Sequence, residues 1–241
     1  MRVLIISDIH ANRTALEAVL EDAGAVDAVW CLGDLVGYGP DPNECIDRVR
    51  QLPNLVCLLG NHDAAALGQL DLGSFNREAQ VSMQYMQRTL TRESLEFLAG
   101  LPEMEVIEPV TLAHGSPRNP IWEYLLDIYT VAANFKSFHT RLCFVGHTHI
   151  QIVYDQDDQG QVTWRVPDAN EPIYLIRRSI LNPGSVGQPR DHDPRAAYAI
   201  FDSETMIWEP RRVRYDIDAV QERIRQAGLP VRHAVRLAEG W

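Results

Sequence analysis

The feature that most restricts how this chain can fold is a pattern repeated five times, in which a short apolar run, rich in β-branched residues, stops at Asp, Asn or His. The instances are VLIISDIH at 3–10, AVWCLGD at 28–34, LVCLLGNH at 55–62, VTLAHG at 110–115 and LCFVGHTH at 142–149. Runs of this length bounded by Gly read as buried strands. Each therefore delivers polar side chains at its carboxyl end. A hydrophobic core would not choose Gly60, Asn61, His62 and Asp63 after such a run, so these strand ends are read as carrying chemistry rather than packing.

Helix signals separate the first three strands. Asn12 can cap a segment whose Ala15, Leu16, Val19 and Leu20 share one face, and Asp41-Pro42-Asn43-Glu44 offers an N-cap, a Pro at the first helical position and an acid two residues on. Strand, helix, strand, helix, strand implies parallel strands with right-handed crossovers, whose carboxyl ends converge on one edge. Residues scattered from 8 to 149 can then meet in one pocket. From 74 to 101 a helical period places Phe75, Ala79, Met83, Met86 and Leu90 on one stripe, followed by Leu95, Leu98 and Leu101 after a cap at Thr91, which predicts a helical insertion. The later segments QIVYD, VTWRV, IYLIRRS and AAYAIFD are short and alternating and predict antiparallel pairing in a second sheet. A C-terminal helix is predicted from about 216 to Gly228, and the last dozen residues are ambiguous.

The 241 residues are 46% hydrophobic, enough for one large core, and are read as a single domain. The opening MRVLIISDIH has no long apolar stretch of a secretion signal, and no later run reaches the ~18 apolar residues of a membrane span. A soluble, cytoplasmic protein is expected. Cys31, Cys45, Cys57 and Cys143 lack metal-type spacing and read as reduced packing residues. A net charge of −11 and the absence of a Lys/Arg stripe argue against nucleic acid and acidic membranes as partners. A homo-oligomer is left open.

Collected, the polar strand ends are Asp8, His10, Asp34, Asn61, His62, His114, His147 and His149. Mixed oxygen and nitrogen donors without thiolate suit manganese, iron, zinc or nickel rather than calcium, and their number suits two divalent ions sharing a carboxylate. Two cations ~3.5–4 Å apart can neutralise phosphate oxygens during in-line displacement.

The ordered series D-x-H (Asp8, His10), G-D (Gly33, Asp34), G-N-H-D (Gly60 to Asp63), H-G (His114, Gly115) and G-H-x-H (Gly146 to His149) resembles the calcineurin-like metallophosphoesterases. GDLVGYGPDPNEC, HGSPRNP and LNPGSVGQPRDHDPRAAYAIFD extend the likeness to the compact bacterial and archaeal phosphodiesterase branch, over nearly the whole chain. The resemblance implies an α/β fold, a four-layer αββα sandwich of two stacked mixed β-sheets flanked by helices. It implies that Asp8, His10, Asp34 and His149 hold one ion and Asp34, Asn61, His114 and His147 the other, with Asp34 bridging. It also implies phosphate ester hydrolysis, of a diester before a monoester, by a metal-bridging hydroxide. Manganese is the first expectation for the metal. His62 would be the general acid and Asp63 would orient it; Gly60 would allow a sharp turn.

Other readings stand beside these. Asp63 can instead cap the helix that starts at Ala64. Tyr38, Arg118 and Arg190, in loops after or beside the ligand blocks, are candidates to bind the phosphate or leaving group of a small phosphate ester or nucleotide. NPGSVG at 182–187 fits either a phosphate-cradling loop or a tight turn. His192 lies near the pocket edge by analogy, and His139 and His233 read as surface residues. A non-catalytic metal-binding scaffold is the alternative function, disfavoured because no metal histidine is missing.

Overall fold

The computed structural model describes residues 1–241. The first three apolar runs form β1 (Arg2–Ile6), β2 (Ala28–Cys31) and β3 (Val56–Cys57), mutually parallel in the order β3-β2-β1. Between them run α1 (Arg13–Ala23) and α2 (Pro42–Val49), and α3 (Asn61–Ala66) begins directly after β3. Asn12 caps α1 by accepting from the Ala15 N–H. Asp41 stands at the N-cap of α2 but does not cap it with its side chain. That carboxylate is drawn instead to the Arg223 guanidinium, 3.0 Å away, because a charged partner outweighs one backbone donor.

The predicted insertion consists of α4 (Arg77–Thr89) and α5 (Arg92–Ala99), the latter capped by Thr91. A second sheet follows, with a strand that the pattern did not reveal, β4 (Met104–Ile107), hydrogen-bonded to β5 (Val110–Ala113). β4 escaped notice because its MEVI sequence has little alternation and lies largely exposed at the sheet edge. α6 (Ile128–Asn134), β6 (Leu142–Phe144), β7 (Gln151–Gln156), β8 (Val162–Arg165), β9 (Ile173–Tyr174), β10 (Arg178–Pro183), β11 (Ala196–Asp202) and β12 (Ile207–Val213) come next. The first sheet has the order β3-β2-β1-β11-β12-β9 and the second β4-β5-β6-β10-β7-β8. Both are mixed: in the first, β11, β12 and β9 join the parallel β3-β2-β1 antiparallel, and in the second β5, β6 and β10 are parallel while β7, β8 and β4 pair antiparallel.

Alternation along β1 explains the layering. Val3 and Ile5 face the other sheet and pack in a cluster with Trp30, Leu112, Phe144 and Trp208, whereas Leu4 and Ile6 face the helices with Leu16, Val19 and Met83. Truncating one of the fully buried rings would cost about 3–5 kcal/mol. On the outer face of the second sheet α6 buries Val131 against Tyr154 and Ile180. The result is the four-layer αββα sandwich that the family resemblance implied. At the C-terminus α7 (Ile217–Gln226) starts at its cap Asp216, and the ambiguous last residues form α8 (Val231–Glu239). No helix is long and apolar enough to cross a membrane.

Candidate metal centre

The carboxyl ends of β1, β2, β3, β5 and β6 converge, and all seven expected ligands lie there, each buried. One donor atom from each of Asp8, His10, Asp34 and His149 lies within 4.8 Å of the others, and the same holds for Asp34, His114 and His147. Asn61 Oδ1 joins the second group, 3.1 Å from His114 Nε2. Asp34 belongs to both, its Oδ2 lying 3.6 Å from His10 Nε2 and 3.4 Å from His114 Nε2.

The backbone fixes which atoms face the cluster. His10, His114 and His149 direct Nδ1 at the carbonyls of Val36, Leu32 and Gln188, at 3.0, 2.9 and 2.6 Å. His147 directs Nε2 at the Trp122 carbonyl, 3.3 Å away. Each carboxylate likewise holds one oxygen on a backbone N–H: Asp8 Oδ2 accepts from His147, and Asp34 Oδ1 from His62. The remaining oxygens, Asp8 Oδ1 and Asp34 Oδ2, are buried with no hydrogen-bond partner. Orphaned acceptors of this kind are costly unless a cation meets them, and carboxylates with oriented imidazoles form a donor set that fits a divalent metal.

Holding these side chains in place imposes unusual backbone. Asp8, His10, Ala11, Asp34, Tyr38, His147 and His149 all have positive φ, a conformation that side chains with a Cβ rarely adopt. Ala11 takes the left-handed geometry at φ 51 although it carries a Cβ. Gly60 serves differently from the sharp turn expected of it, since its φ is −92 and its ψ 172. A Cβ there would stand 2.1 Å from Asp34 Oδ1, so glycine is needed to let the carboxylate approach.

Burial and mutual charge set the titration of the cluster. Burial alone would raise the Asp8 and Asp34 carboxyls, but the facing imidazoles outweigh it and hold both well below the usual range. Burial lowers His10, His147 and His149, keeping them neutral and ready to ligate. His114 is opposed by burial as well, yet Asp34 beside it pushes it up to about 9.

His62 is buried against the rings of both Tyr38 and His10, with centroids 4.5 and 4.9 Å away, and its Nδ1 has no partner. Burial lowers it to about 4, so it is neutral at pH 7 rather than the imidazolium that proton donation suggests. Asp63 does not touch it. Both Asp63 oxygens accept backbone N–H groups, from Gly60 at 3.0 Å and Val36 at 3.1 Å, so the carboxylate caps α3 and ties it to the loop after β2. Burial, with Asp34 nearby, raises Asp63 to about 7.

Of the three candidate substrate residues, two are at the cluster. Tyr38 packs 4.6 Å from His10, and its hydroxyl accepts from Arg190 Nη2 at 3.4 Å. Arg118 is diverted: its guanidinium clasps Glu123, which also accepts from Ser116 and Asn134, and does not reach the ligands. The NPGSVG loop is a structural turn. Its Val186 and Gly187 N–H groups donate to the carbonyls of Ser7 and Asp8, bracing β1 rather than facing a ligand. His139 and His192 are exposed, but His233 is buried, contrary to the surface reading. Sequence reasoning also missed Trp122 and Tyr124. Beyond Trp122's carbonyl, the Tyr124 ring stacks on His147 with centroids 3.7 Å apart. No spacing or ligand chemistry marks these loop residues in the sequence.

Fold and site together define a metal-binding α/β-sandwich hydrolase. The sequence profile of the calcineurin-like phosphoesterase superfamily domain matches residues 1–206, and the chain belongs to that superfamily. It is 39% identical to an uncharacterised protein of Methanocaldococcus jannaschii over 237 residues, 95% of this chain and 93% of that one. A metallophosphoesterase crystal structure from Sphaerobacter thermophilus superimposes with a TM-score of 0.92 at 46% identity, covering 100% of this chain and 99% of that chain. A match to the symmetrical bis(5'-nucleosyl)-tetraphosphatase of Erwinia tasmaniensis is 42% identical over 129 residues, 51% of this chain and 47% of that enzyme.

Proposed function

We propose that the chain is a two-metal phosphodiesterase acting on a small phosphate ester, with nucleotides the first class to examine. The observation that carries this reading is Asp34 Oδ2, orphaned in the protein and shared by the Asp8–His10–His149 and Asn61–His114–His147 sides of the cluster. Asp8, His10, Asp34 and His149 would hold one ion, and Asp34, Asn61, His114 and His147 the other. Manganese is the first candidate; iron, zinc and nickel suit the same donors. When bound, two such ions supply Lewis acidity toward the phosphoryl oxygens and activate water.

The chain's own groups provide the rest. Arg190, which donates to the Tyr38 hydroxyl, would meet a phosphoryl oxygen, a contact that a guanidinium suits. His62 is the group to pass a proton to the departing oxygen; the negative charge of a bound ester acts to raise its proton affinity from the low value set by burial. Asp63 supports it through the backbone by fixing the start of α3. The partial likeness to a bis(nucleosyl)-tetraphosphatase favours nucleotide substrates. The four cysteines are free and buried, which suits a reducing cytoplasm, and the whole chain is read as one domain.

The test is hydrolysis of a chromogenic phosphodiester and the matching monoester by manganese-loaded protein, with His62→Ala as control. Faster diester turnover that depends on His62 is expected. No turnover of either ester at about two metals per chain would overturn the reading and revive a metal-binding scaffold.

A further inference from the structure

The superfamily match ends at residue 206, yet the helices beyond it reach the candidate site. Arg223 on α7 binds Asp41 and Thr14, fixing α7 across the starts of α1 and α2. This seats α8 over Tyr38. His233, on α8, is 2% exposed and meets the Tyr38 ring edge-to-face, with centroids 4.9 Å apart at 61°. Its Nε2 lies 3.3 Å from the Glu78 carbonyl, which can only accept, so the ring's hydrogen is there. Nδ1 is left as a buried lone pair without a partner, and the ring borders a small cavity shared with His10, Tyr38 and Gln188.

Tyr38 needs such support. Its φ is 58, its N–H is held by Ser82 on α4, and its ring packs against His10 and His62, with the Arg190 guanidinium 5.7 Å from its centroid. Loss of the His233 ring would remove one of the bodies that hold the Tyr38 ring, and with it the Arg190 contact at its hydroxyl, against the cluster. We propose that His233 is a positioning residue, which holds the Tyr38 ring and through it the Arg190 guanidinium at the distance needed to bind a phosphoryl group. This rests on the phosphoesterase reading of the site, because Arg190 and Tyr38 are its phosphate-binding pair.

The experiment measures affinity for inorganic phosphate by calorimetry on the manganese-loaded protein, together with KM and kcat for the chromogenic phosphodiester. In His233→Ala, phosphate affinity is expected to fall about five-fold, and KM to rise correspondingly with a smaller change in kcat, at unchanged metal content. His233→Phe, which keeps the ring against Tyr38, should recover most of the loss. Should His233→Ala not fold, His233→Leu takes its place, since it fills the volume without an aromatic edge. Unchanged phosphate affinity in a folded, metal-loaded Ala or Leu variant overturns the proposal, as does failure of His233→Phe to recover it or absence of phosphate binding by the wild type. A wild type that binds phosphate but hydrolyses nothing removes the phosphodiesterase reading alone, and the variant ratios still judge His233.

Discussion

His10 Nε2 and His149 Nε2 lie 3.0 Å apart in the buried site although each ring directs its Nδ1 at a backbone carbonyl. Carbonyls only accept, so both hydrogens are on Nδ1 and two lone pairs face each other. Nearby, the partnerless Asp8 Oδ1 is 3.3 Å from His149 Nε2. A cation turns this repulsion into attraction. Metal should therefore stabilise the fold as well as activate it: with free metal 100-fold above its Kd, linkage adds about 2.7 kcal/mol, or roughly 5–10 °C in Tm. Calorimetry of the protein with manganese and with a chelator checks this, and equal Tm values would contradict it.

His114 is the imidazole that must lose a proton on metal binding. Its Nδ1 faces the Leu32 carbonyl and its Nε2 the Asn61 carbonyl oxygen, so both nitrogens donate, in accord with its rise to about 9 beside Asp34. Below pH 9 metal competes with that proton, so affinity should increase with pH from 7 to 9 and level off above. Titration calorimetry at pH 7 in buffers of different ionisation enthalpy should report release of about one proton from this group.

Asp34→Asn removes the charge common to both halves of the cluster while keeping nearly the same shape. Activity should fall by at least about 100-fold, and metal content should drop, with secondary structure retained. Metal analysis alongside circular dichroism separates these effects; full activity in this variant would refute the assigned role.

Gly60→Ala places a methyl group 2.1 Å from Asp34 Oδ1 and 2.3 Å from the Asp34 backbone nitrogen. Either Asp34 or α3 must shift, costing about 1–3 kcal/mol or more and disturbing Asn61. Gly100→Ala is the control, since its nearest obstacle is the Phe97 carbonyl at an ordinary 3.5 Å. Denaturant unfolding and metal titration of the two variants should diverge.

Tyr124→Ala removes the ring stacked on His147 from a residue that is itself 41% exposed. Global stability should change little, while metal affinity on the His147 side weakens by about ten-fold, as when a supporting contact to a ligand is lost. Manganese titration should show one class of site affected more than the other.

Apolar runs ending in Asp8, His10, Asp34, Asn61, His114, His147 and His149 are legible as strands in the sequence, and parallel strands within each sheet bring their carboxyl ends to one edge; the αββα stacking that sets the ends of both sheets together was implied by the family resemblance and is seen in the structure. Local signals also sufficed for the Asn12 and Thr91 caps, which act within three residues of themselves. Only the tertiary structure decided who touches whom around that edge. It turned Arg118 toward Glu123, directed Asp63 to the Gly60 and Val36 amides, stacked Tyr124 on His147 and buried His233 against Tyr38. Hydrophobic periodicity records which face of an element is buried, but a polar side chain's partner depends on distances between residues as far apart as Thr14 and Arg223, 209 positions away, and no local pattern encodes those.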